Sequence, residues 1–274
     1  MNKLILLFFS VFLAQTSNAQ SVFKFTDFHD KDSTIKRSEG TYYYGLEEGL
    51  WKFWYQDGKI REEANYTEGK LNGSVKIWYN NGEPQNEGFF RFNIQDSSYT
   101  SWFKNGQIKS KGQFDYGFKD SLWSYYFPNG NLYKQEFWDK RDVKVLVANA
   151  RDGSPTLASG SGYVNKYIGD KIVSVLNYSN GILNGEFVSY YDSGVKKESG
   201  NYKNGEKSGD WIVFYESTQV KRRESFAQGA REGNMEAFFE DGNKRVAGAY
   251  VEGKKNGFWK FWSENNKVYM QGFF

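Results

Sequence analysis

The chain has 274 residues, a formal net charge of +3 and no cysteine. Its 36 basic and 33 acidic residues are interspersed, so the one-signed surface of a nucleic-acid-binding protein is not expected. The missing cysteines exclude disulfides and a lipid anchor on a cysteine, so stability must come from packing.

Residues 1–19 have the pattern of a secretory signal peptide. Lys3 precedes an apolar run from Leu4 to Ala14, and small residues follow at Ser17 and Ala19. The run is shorter than the ~20 residues that span a bilayer, which disfavours the alternative of a membrane anchor. We expect cleavage after Ala19 and a periplasmic or secreted protein, with no membrane association indicated after cleavage.

Residues 20–39 form a short segment before the repeats. Its aromatic residues Phe23, Phe25 and Phe28 are expected to cap the first repeat. We therefore predict an N-terminal capping segment.

From residue 40 onward a 24-residue sequence pattern recurs in fixed register. Its first glycine position is occupied by Gly45, Gly69, Asn93, Gly117, Gly181, Gly205, Gly229 and Gly253. Three residues earlier the chain is always aromatic, at Tyr42, Tyr66, Phe90, Phe114, Tyr178, Tyr202, Phe226 and Tyr250. Self-similarity at a fixed period predicts a repeat architecture, in which each unit is one structural element.

Each unit is predicted to be a β-hairpin, followed by a Gly-rich connection that carries a second glycine. Asp57-Gly58 and Asn81-Gly82 are pairs that favour tight turns with φ above zero. Aromatic and β-branched runs of strand length flank them, as in Leu50–Gln56 and Lys59–Thr67. Thr218 replaces the turn glycine in one copy, and because it is β-branched we predict a different turn there. An isolated hairpin is marginal in water, so the units must stack.

The array divides into two blocks. Residues 40–135 hold four units, and residues 176–274 hold four more with a truncated terminal strand. Between them, in residues 136–175, the period slips, because Gly117 and Gly181 are 64 residues apart. This region is either a kink or binding loop that divides the blocks or a decayed repeat with a shortened connection, and the second interpretation is favoured.

The repeated pattern resembles the bacterial variant of the MORN repeat. It reads Gly-x-Tyr-x-x-Gly-x-x-x-Gly-x-Trp-x-x-Trp/Tyr-Tyr-x-x-Gly. Members of this family are often labelled as the antitoxin component of a toxin–antitoxin system. The resemblance covers nearly all of residues 40–274. It implies an all-β fold, an elongated open antiparallel sheet of stacked hairpins, and usually a scaffold or interaction role. It carries over no catalytic residue.

The residues offer little reactive chemistry. His29 is the only histidine, and it lies near Asp27, Asp30 and Asp32. A solvated acidic loop is favoured over a metal site, because one histidine among scattered carboxylates lacks a defined ligand spacing. We predict a non-enzymatic protein with no catalytic residue, no metal and no cofactor, although a glycosidase pair of carboxylates is compatible with the composition.

A second aromatic column is the candidate binding ladder. It lies nine residues after the first glycine position and comprises Trp54, Trp78, Trp102, Tyr126, Tyr190, Phe214, Phe238 and Trp262. Strand alternation should direct Trp54 to the opposite face from Trp51, Phe53 and Tyr55. Packing between repeats is the favoured role of these rings, and an open binding strip is the alternative.

Two functions remain at this point. The first is a protein–protein interaction scaffold in the cell envelope, and the second is binding of cell-wall or other polysaccharide through the ladder. Export moves the expected partner from a cytoplasmic toxin to an envelope component. Gly272, Phe273 and Phe274 begin a further unit, and the aromatic edge that they form predicts self-association through the C-terminal edge.

Overall fold

A computed structural model describes residues 21–274, and the signal-peptide prediction for residues 1–19 lies outside them. The described chain consists of strands and turns. It contains no helix long and apolar enough to cross a membrane.

Twenty-two strands follow one another along the chain. The first eleven are β1 Val22–Phe28, β2 Lys36–Tyr43, β3 Leu46–Trp54, β4 Ile60–Thr67, β5 Lys70–Trp78, β6 Pro84–Arg91, β7 Ile94–Trp102, β8 Ile108–Asp115, β9 Phe118–Tyr126, β10 Leu132–Asp139 and β11 Asp142–Asn149. The others are β12 Pro155–Ala158, β13 Ser161–Ile168, β14 Lys171–Ser179, β15 Ile182–Tyr190, β16 Lys196–Lys203, β17 Glu206–Phe214, β18 Val220–Ala227, β19 Ala230–Phe238, β20 Lys244–Val251, β21 Lys254–Trp262 and β22 Val268–Phe273.

The strands form one open antiparallel sheet in which each strand pairs with the next one in the sequence. This confirms the predicted fold class. The arrangement follows from the sequence, because from β2 onward every strand is linked to its neighbour by a short turn. Each column of equivalent positions takes its name from its residue in the first unit.

Two kinds of turn alternate along the sheet. Tyr44 and Gly45, with φ of 47° and 83°, form a two-residue turn between β2 and β3. At the opposite edge the Gly58 N–H donates to the carbonyl of Tyr55 at 3.0 Å. Thr218 adopts that same turn, with φ of 73°, so the prediction of a different turn was wrong. The pairing of the flanking strands outweighs a left-handed strain of about 1–2 kcal/mol.

The second glycine of each unit lies inside a strand, and the predicted Gly-rich connection was wrong. Gly49, with φ of 71°, is part of β3. Pairing with β2 skips from Lys52 to Glu48, so three residues lie opposite Gly40. This is a β-bulge, which bends the strand and redirects the neighbouring side chain. A two-residue turn already closes the hairpin, so this glycine serves the bulge.

The bulge places the Trp51 ring directly over Gly40. A Cβ built on Gly40 would lie 2.2 Å from the ring, so only glycine fits beneath it. Trp51 is 3% exposed, and its indole N–H donates to the carbonyl of Thr41 at 3.1 Å. The same close approach recurs in three other units, between Gly112 and Trp123, Gly200 and Trp211, and Gly248 and Trp259.

The buried indoles define one face of the sheet, here called the aromatic face. Tyr42 packs edge-on against Trp51 with ring centroids 4.8 Å apart, and Phe53 stacks on Trp51 at 6.2 Å. The core is therefore a single row of side chains along one face. Each unit shares it with its neighbours, as expected of a repeat array.

Hydrogen bonds at both edges tie each unit to the next. At the edge of the two-residue turns, here called the turn edge, the Gly69 N–H donates to the Glu47 carbonyl at 2.9 Å. At the other edge the Tyr55 hydroxyl donates to the Trp78 carbonyl at 2.6 Å. The first bond recurs in most units. The turn position itself is glycine or asparagine because its φ lies above zero, as at Gly69 and Asn93.

The sheet continues through residues 136–175, where one hairpin is shortened. Its first strand, β12, has four residues. Because β12 stops short of the turn edge, β11 approaches the turn between β14 and β15, and the Val145 N–H donates to the Gly181 carbonyl at 3.0 Å. Val145, Ala148, Leu157 and Val164 form a small aliphatic core here.

The segment before residue 40 continues the repeat pattern. Phe25 lies opposite Gly40, as Trp51 lies opposite Ala64, and its ring lies 5.9 Å from that of Trp51. His29 Nε2 lies 2.9 Å from the Trp54 carbonyl, the bond that Tyr55 makes one unit later. β1 is thus the second strand of a further repeat.

Candidate binding surfaces

The predicted ladder lies on the face opposite the buried indoles. Trp54 follows Phe53, which stacks on Trp51, and successive strand residues point to opposite faces. All eight positions are half-buried, at Trp54, Trp78, Trp102, Tyr126, Tyr190, Phe214, Phe238 and Trp262. Equivalent rings two strands apart are separated by about 10 Å, which is too far to stack on one another.

Charged side chains surround the ladder, and this side is here called the polar face. Lys36 lies 5.5 Å from the centre of the Trp54 ring, and Lys111 lies 5.9 Å from that of Tyr126. Other charges on this face pair across strands, as Lys52 does with Glu63 at 2.8 Å. The ladder is thus a row of separated, half-exposed rings among charges.

A more exposed apolar surface lies along the turn edge of the first block. Tyr44, Phe92 and Tyr116 precede the turn position in three of its four units and are 74%, 52% and 62% exposed. The residue after each turn is also apolar and exposed, at Leu46, Ile94 and Phe118. These six residues are here called the turn stripe.

The backbone of the turn stripe is strained. Tyr44, Phe92 and Tyr116 have φ of 47°, 48° and 44°, a conformation that bulky residues rarely adopt and asparagine tolerates. In the second block the same position holds Asn180 and Asn204. Strained residues with exposed apolar side chains concentrate at functional sites. This surface was not predicted from the sequence, although an aromatic residue directly before the turn position is the signal that marks it.

Cations accompany the last two rings of the turn stripe. The Arg91 guanidinium lies 5.8 Å from the centre of the Tyr116 ring and forms an ion pair with Asp96 at 2.8 Å. Arg141 lies 5.2 Å from the centre of the Phe118 ring. A cavity of about 250 Å³ opens between Tyr116 and Phe118, next to Arg141. This end of the turn stripe combines aromatic area, positive charge and a depression.

One buried polar cluster occupies the aromatic face near the shortened hairpin. Glu136 is 7% exposed and forms an ion pair with Lys134, and it accepts a hydrogen bond from the Trp138 indole at 3.1 Å. Burial alone would raise its pKa, but the charge of Lys134 and the hydrogen bonds to the carboxylate hold the pKa below its usual value. Burial also lowers the pKa of Lys119, whose ammonium donates to the Tyr125 hydroxyl at 2.5 Å.

The charged residues of this cluster are part of the packing of the aromatic face. Glu136 stands in the Gly40 column, in a unit without a tryptophan over that position. Glu224 does the same in the unit of Met235, and it is paired with Arg222 at 3.0 Å and Arg231 at 2.7 Å. The two carboxylates thus occupy space that glycine leaves to an indole elsewhere.

The acidic segment around His29 is a capped turn. Asp30 accepts hydrogen bonds from the backbone N–H groups of Thr34 and Ile35, at 3.1 and 2.8 Å. Together with the Thr34 hydroxyl, which contributes most, these bonds lower the pKa of Asp30 to about 2. Among residues 21–274 no three histidine, cysteine or carboxylate side chains are grouped so as to hold a metal ion.

Sequence comparison finds the MORN repeat variant in five segments of the chain. They are residues 47–68, 71–91, 95–116, 119–140 and 183–204. No curated protein matches the chain. The matched segments cover the first block and the first unit of the second, and the structure continues the same hairpin beyond them.

Proposed function

We propose that this chain, which belongs to the MORN repeat variant family, is an exported, non-enzymatic scaffold that binds a protein partner in the cell envelope. The observation that carries the proposal is the turn stripe. It places exposed aromatic rings along one edge of a rigid sheet, at intervals set by the repeat. Repeat arrays bind partners through such extended surfaces.

The chemistry of the turn stripe favours a protein partner. Exposed aromatic residues and arginine are the side chains enriched in protein interfaces. Tyr44, Phe92 and Tyr116 supply the rings, and Arg91 and Arg141 lie beside them. Because each hairpin is anchored to the next by backbone hydrogen bonds, the turns that carry the rings are held in place before a partner binds, which reduces the entropic cost of binding.

The proposal that the protein is not an enzyme is supported by the burial and ion pairing of its two buried carboxylates. Glu136 and Glu224 are each held by cations within the packing of the aromatic face. Catalytic acids and bases need an approach for substrate, and neither carboxylate is more than 7% exposed.

Export rests on the pattern of residues 1–19 and has its own test. If the signal peptide is cleaved as proposed, the exported protein begins at Gln20. N-terminal sequencing of protein recovered from the envelope or medium would show this. Retention of Met1 would contradict export through a cleaved signal.

The binding role is tested by capture of partners from an envelope extract. The test protein carries Tyr44→Asn, Phe92→Asn and Tyr116→Asn, because asparagine suits the strained backbone and removes the ring. The matched control carries Glu68→Asn and Glu252→Asn at the same turn position, where φ is 50° and 49°. We expect the natural protein and the control to capture one shared partner and the test protein to lose it. Capture of that partner by all three proteins would contradict the proposal.

Polysaccharide binding is the second candidate function, favoured by the half-exposed rings of the polar face. Their separation of about 10 Å leaves each ring free to stack on a sugar. A glycan array probed with the natural protein and with Trp54→Ala and Trp78→Ala separates the two functions. Binding that is lost in these variants supports the ladder, and failure of the natural protein to bind any glycan removes this candidate.

A further inference from the structure

The second block carries a row of cations in one repeat column. Lys197, Lys221 and Arg245 stand 24 residues apart, in the column of Arg61. Equivalent residues lie two strands apart in the sheet, so neighbouring members of the row are separated by about 10 Å. These three residues are here called the cation row. The first block has no such row, because its four units hold Arg61, Gln85, Lys109 and Tyr133 in this column.

Each member of the cation row lies near a ring of its own hairpin. The Lys197 ammonium lies 5.4 Å from the centre of the Tyr191 ring, and the Lys221 ammonium lies 5.1 Å from that of Tyr215. The equivalent pair of the next unit, which lines a cavity of about 560 Å³, is Arg245 and Phe239. The rings thus follow the repeat at the same spacing as the cations.

The cation row lies on the aromatic face. Tyr133 stands in the same column and packs against the aliphatic core around Val145 on that face. Its ring lies 4.9 Å from that of Phe127, which stands in the column of Tyr191 and Tyr215. Both columns therefore point to the side of the buried indoles, and the cation row borders them.

This face of the second block has an excess of positive charge. Its cations are Lys197, Lys207, Lys221, Arg222, Arg231, Arg245 and Lys255, and its carboxylates are Glu198 and Glu224. Both carboxylates are already paired, Glu198 with Lys207 at 3.2 Å and Glu224 with two arginines. Within residues 21–274 no member of the cation row forms an ion pair, although Glu264 lines the same cavity as Arg245. The cation row is therefore available to an acidic ligand.

The spacing of the row favours one conformation of a bound polypeptide. An extended strand returns to the same face about every 6.7 Å, and seven residues of α-helix rise about 10.5 Å. A polyproline II helix has three residues per turn and rises about 3.1 Å per residue, so it returns to the same face about every 9.3 Å. Two strand spacings are about 9.4–9.8 Å. One turn of polyproline II thus matches one step of the cation row most closely.

We propose that the cation row binds an acidic polypeptide segment in the polyproline II conformation, laid across the strands with a carboxylate at every third residue. Each carboxylate meets one cation of the row, and the residues between them pack along Tyr191, Tyr215 and Phe239. Segments of this conformation are bound by aromatic-lined surfaces, because their low conformational entropy makes ordering inexpensive. The proposal does not rest on the turn stripe, which lies at the other edge and in the other block.

A synthetic peptide of four Pro-Pro-Glu triplets tests the match in spacing. Its binding to the protein is measured by fluorescence anisotropy at low ionic strength, where exposed charges are least screened. The control peptide has the same composition with its glutamates at every second position, so that they point in different directions around the helix. We expect the triplet peptide to bind more tightly and to dissociate as salt is added. Equal binding of the two peptides, or no binding of either, would overturn the proposal.

A charge-matched pair of variants tests the residues. The test protein carries Lys197→Gln, Lys221→Gln and Arg245→Gln. The control carries Lys203→Gln, Arg223→Gln and Lys260→Gln, which remove the same charge from the turn edge and the polar face. We expect about tenfold weaker binding of the triplet peptide by the test protein, near-natural binding by the control, and unchanged thermal unfolding of both. Equal weakening in the two variants would contradict a role of the cation row.

Two further measurements identify the ligand class and separate this site from the turn stripe. Polygalacturonate is an acidic polymer without a peptide backbone, and we expect it to bind more weakly than the triplet peptide. If it binds as tightly and depends on the same three cations, the assignment to a polypeptide is overturned. The variant with Tyr44→Asn, Phe92→Asn and Tyr116→Asn should bind the triplet peptide as the natural protein does, and loss of binding there would contradict a separate site.

Discussion

At the scale of single residues, side-chain size in the Gly40 column is coupled to side-chain size in the Trp51 column. Four units combine glycine with tryptophan, and one combines Ala64 with Val75 at facing positions. Another combines Glu224 with Met235. The two positions share one space, and each unit with a residue larger than glycine in the Gly40 column has a residue other than tryptophan in the Trp51 column.

Adding one methyl group beneath an indole should therefore be costly. Gly112→Ala would bring a Cβ within 2.4 Å of Trp123, and overpacking of this kind costs about 1–3 kcal/mol of unfolding free energy. Gly88→Ala is the matched control, because its Cβ would meet the flexible Gln95 side chain at 3.1 Å and the Tyr99 ring at 3.3 Å, so the loss should be smaller. Urea unfolding measures both. Equal losses of unfolding free energy in the two variants would argue against the coupling of side-chain size between the two columns.

A smaller residue in the Trp51 column should compensate for a larger residue in the Gly40 column. Gly112→Ala combined with Trp123→Val reproduces the natural pair Ala64 and Val75. We expect the double variant to lose less unfolding free energy than the sum of the two single variants, because neighbouring positions couple. Strict additivity in a double-mutant cycle would contradict the coupling.

At the scale of the hairpin, the tyrosine hydroxyls join one unit to the next. The Tyr215 hydroxyl donates to the Phe238 carbonyl at 2.9 Å, and Tyr191 and Tyr79 make the equivalent bond. Phe103 stands in the same column without a hydroxyl. The column therefore accepts either tyrosine or phenylalanine, and the tyrosine hydroxyl adds a hydrogen bond that can be removed without removing the ring.

Removing that hydroxyl should weaken the contact between units without disturbing packing. Tyr215→Phe is expected to cost about 0.5–1.5 kcal/mol of unfolding free energy. Phe103→Tyr is the reciprocal change and should not destabilise the protein, since it can restore the bond to the next unit. Chemical unfolding of both variants checks this, and a stable Tyr215→Phe with an unstable Phe103→Tyr would contradict the assigned role.

Much of the hairpin could be predicted from the sequence, and part could not. The 24-residue period predicted the strands and the turn at Gly58, because turn chemistry and aromatic columns are local signals. The bulge at Gly49 and the place of Trp51 over Gly40 were missed, because a bulge depends on the partner strand. Thr218 shows the same limit, since strand pairing outweighs its own backbone preference.

At the scale of the whole molecule, buried tyrosines link stability to alkaline pH. Burial raises the pKa of Tyr133 and of Tyr178 from 10.0 to about 12. The folded protein therefore favours the neutral phenol, and this contribution is complete below pH 10 and is lost as the pH rises towards 12. We expect unfolding free energy to fall in that range, and Tyr178→Phe to make the fall shallower. An unchanged pH profile in Tyr178→Phe would contradict the assignment.

The candidate site was harder to predict than the fold. The ladder that begins at Trp54 was recognised because it repeats in every unit, yet repetition also marks packing, and its rings are half-buried. The turn stripe differs between the blocks, so it is not among the columns that all units share. Its signal was the contrast between Tyr116 and Asn204 at one position, which gains meaning once the left-handed backbone is known.

Whether the turn stripe is a binding surface is tested most directly by one paired measurement on Tyr44→Asn, Phe92→Asn and Tyr116→Asn combined. Asparagine tolerates the left-handed conformation better than a bulky ring does, so unfolding free energy should stay equal or rise. Affinity for the partner captured from the envelope, measured on the same preparation, should be lost. A variant that is as stable as the natural protein and binds that partner equally well would contradict the role of the turn stripe.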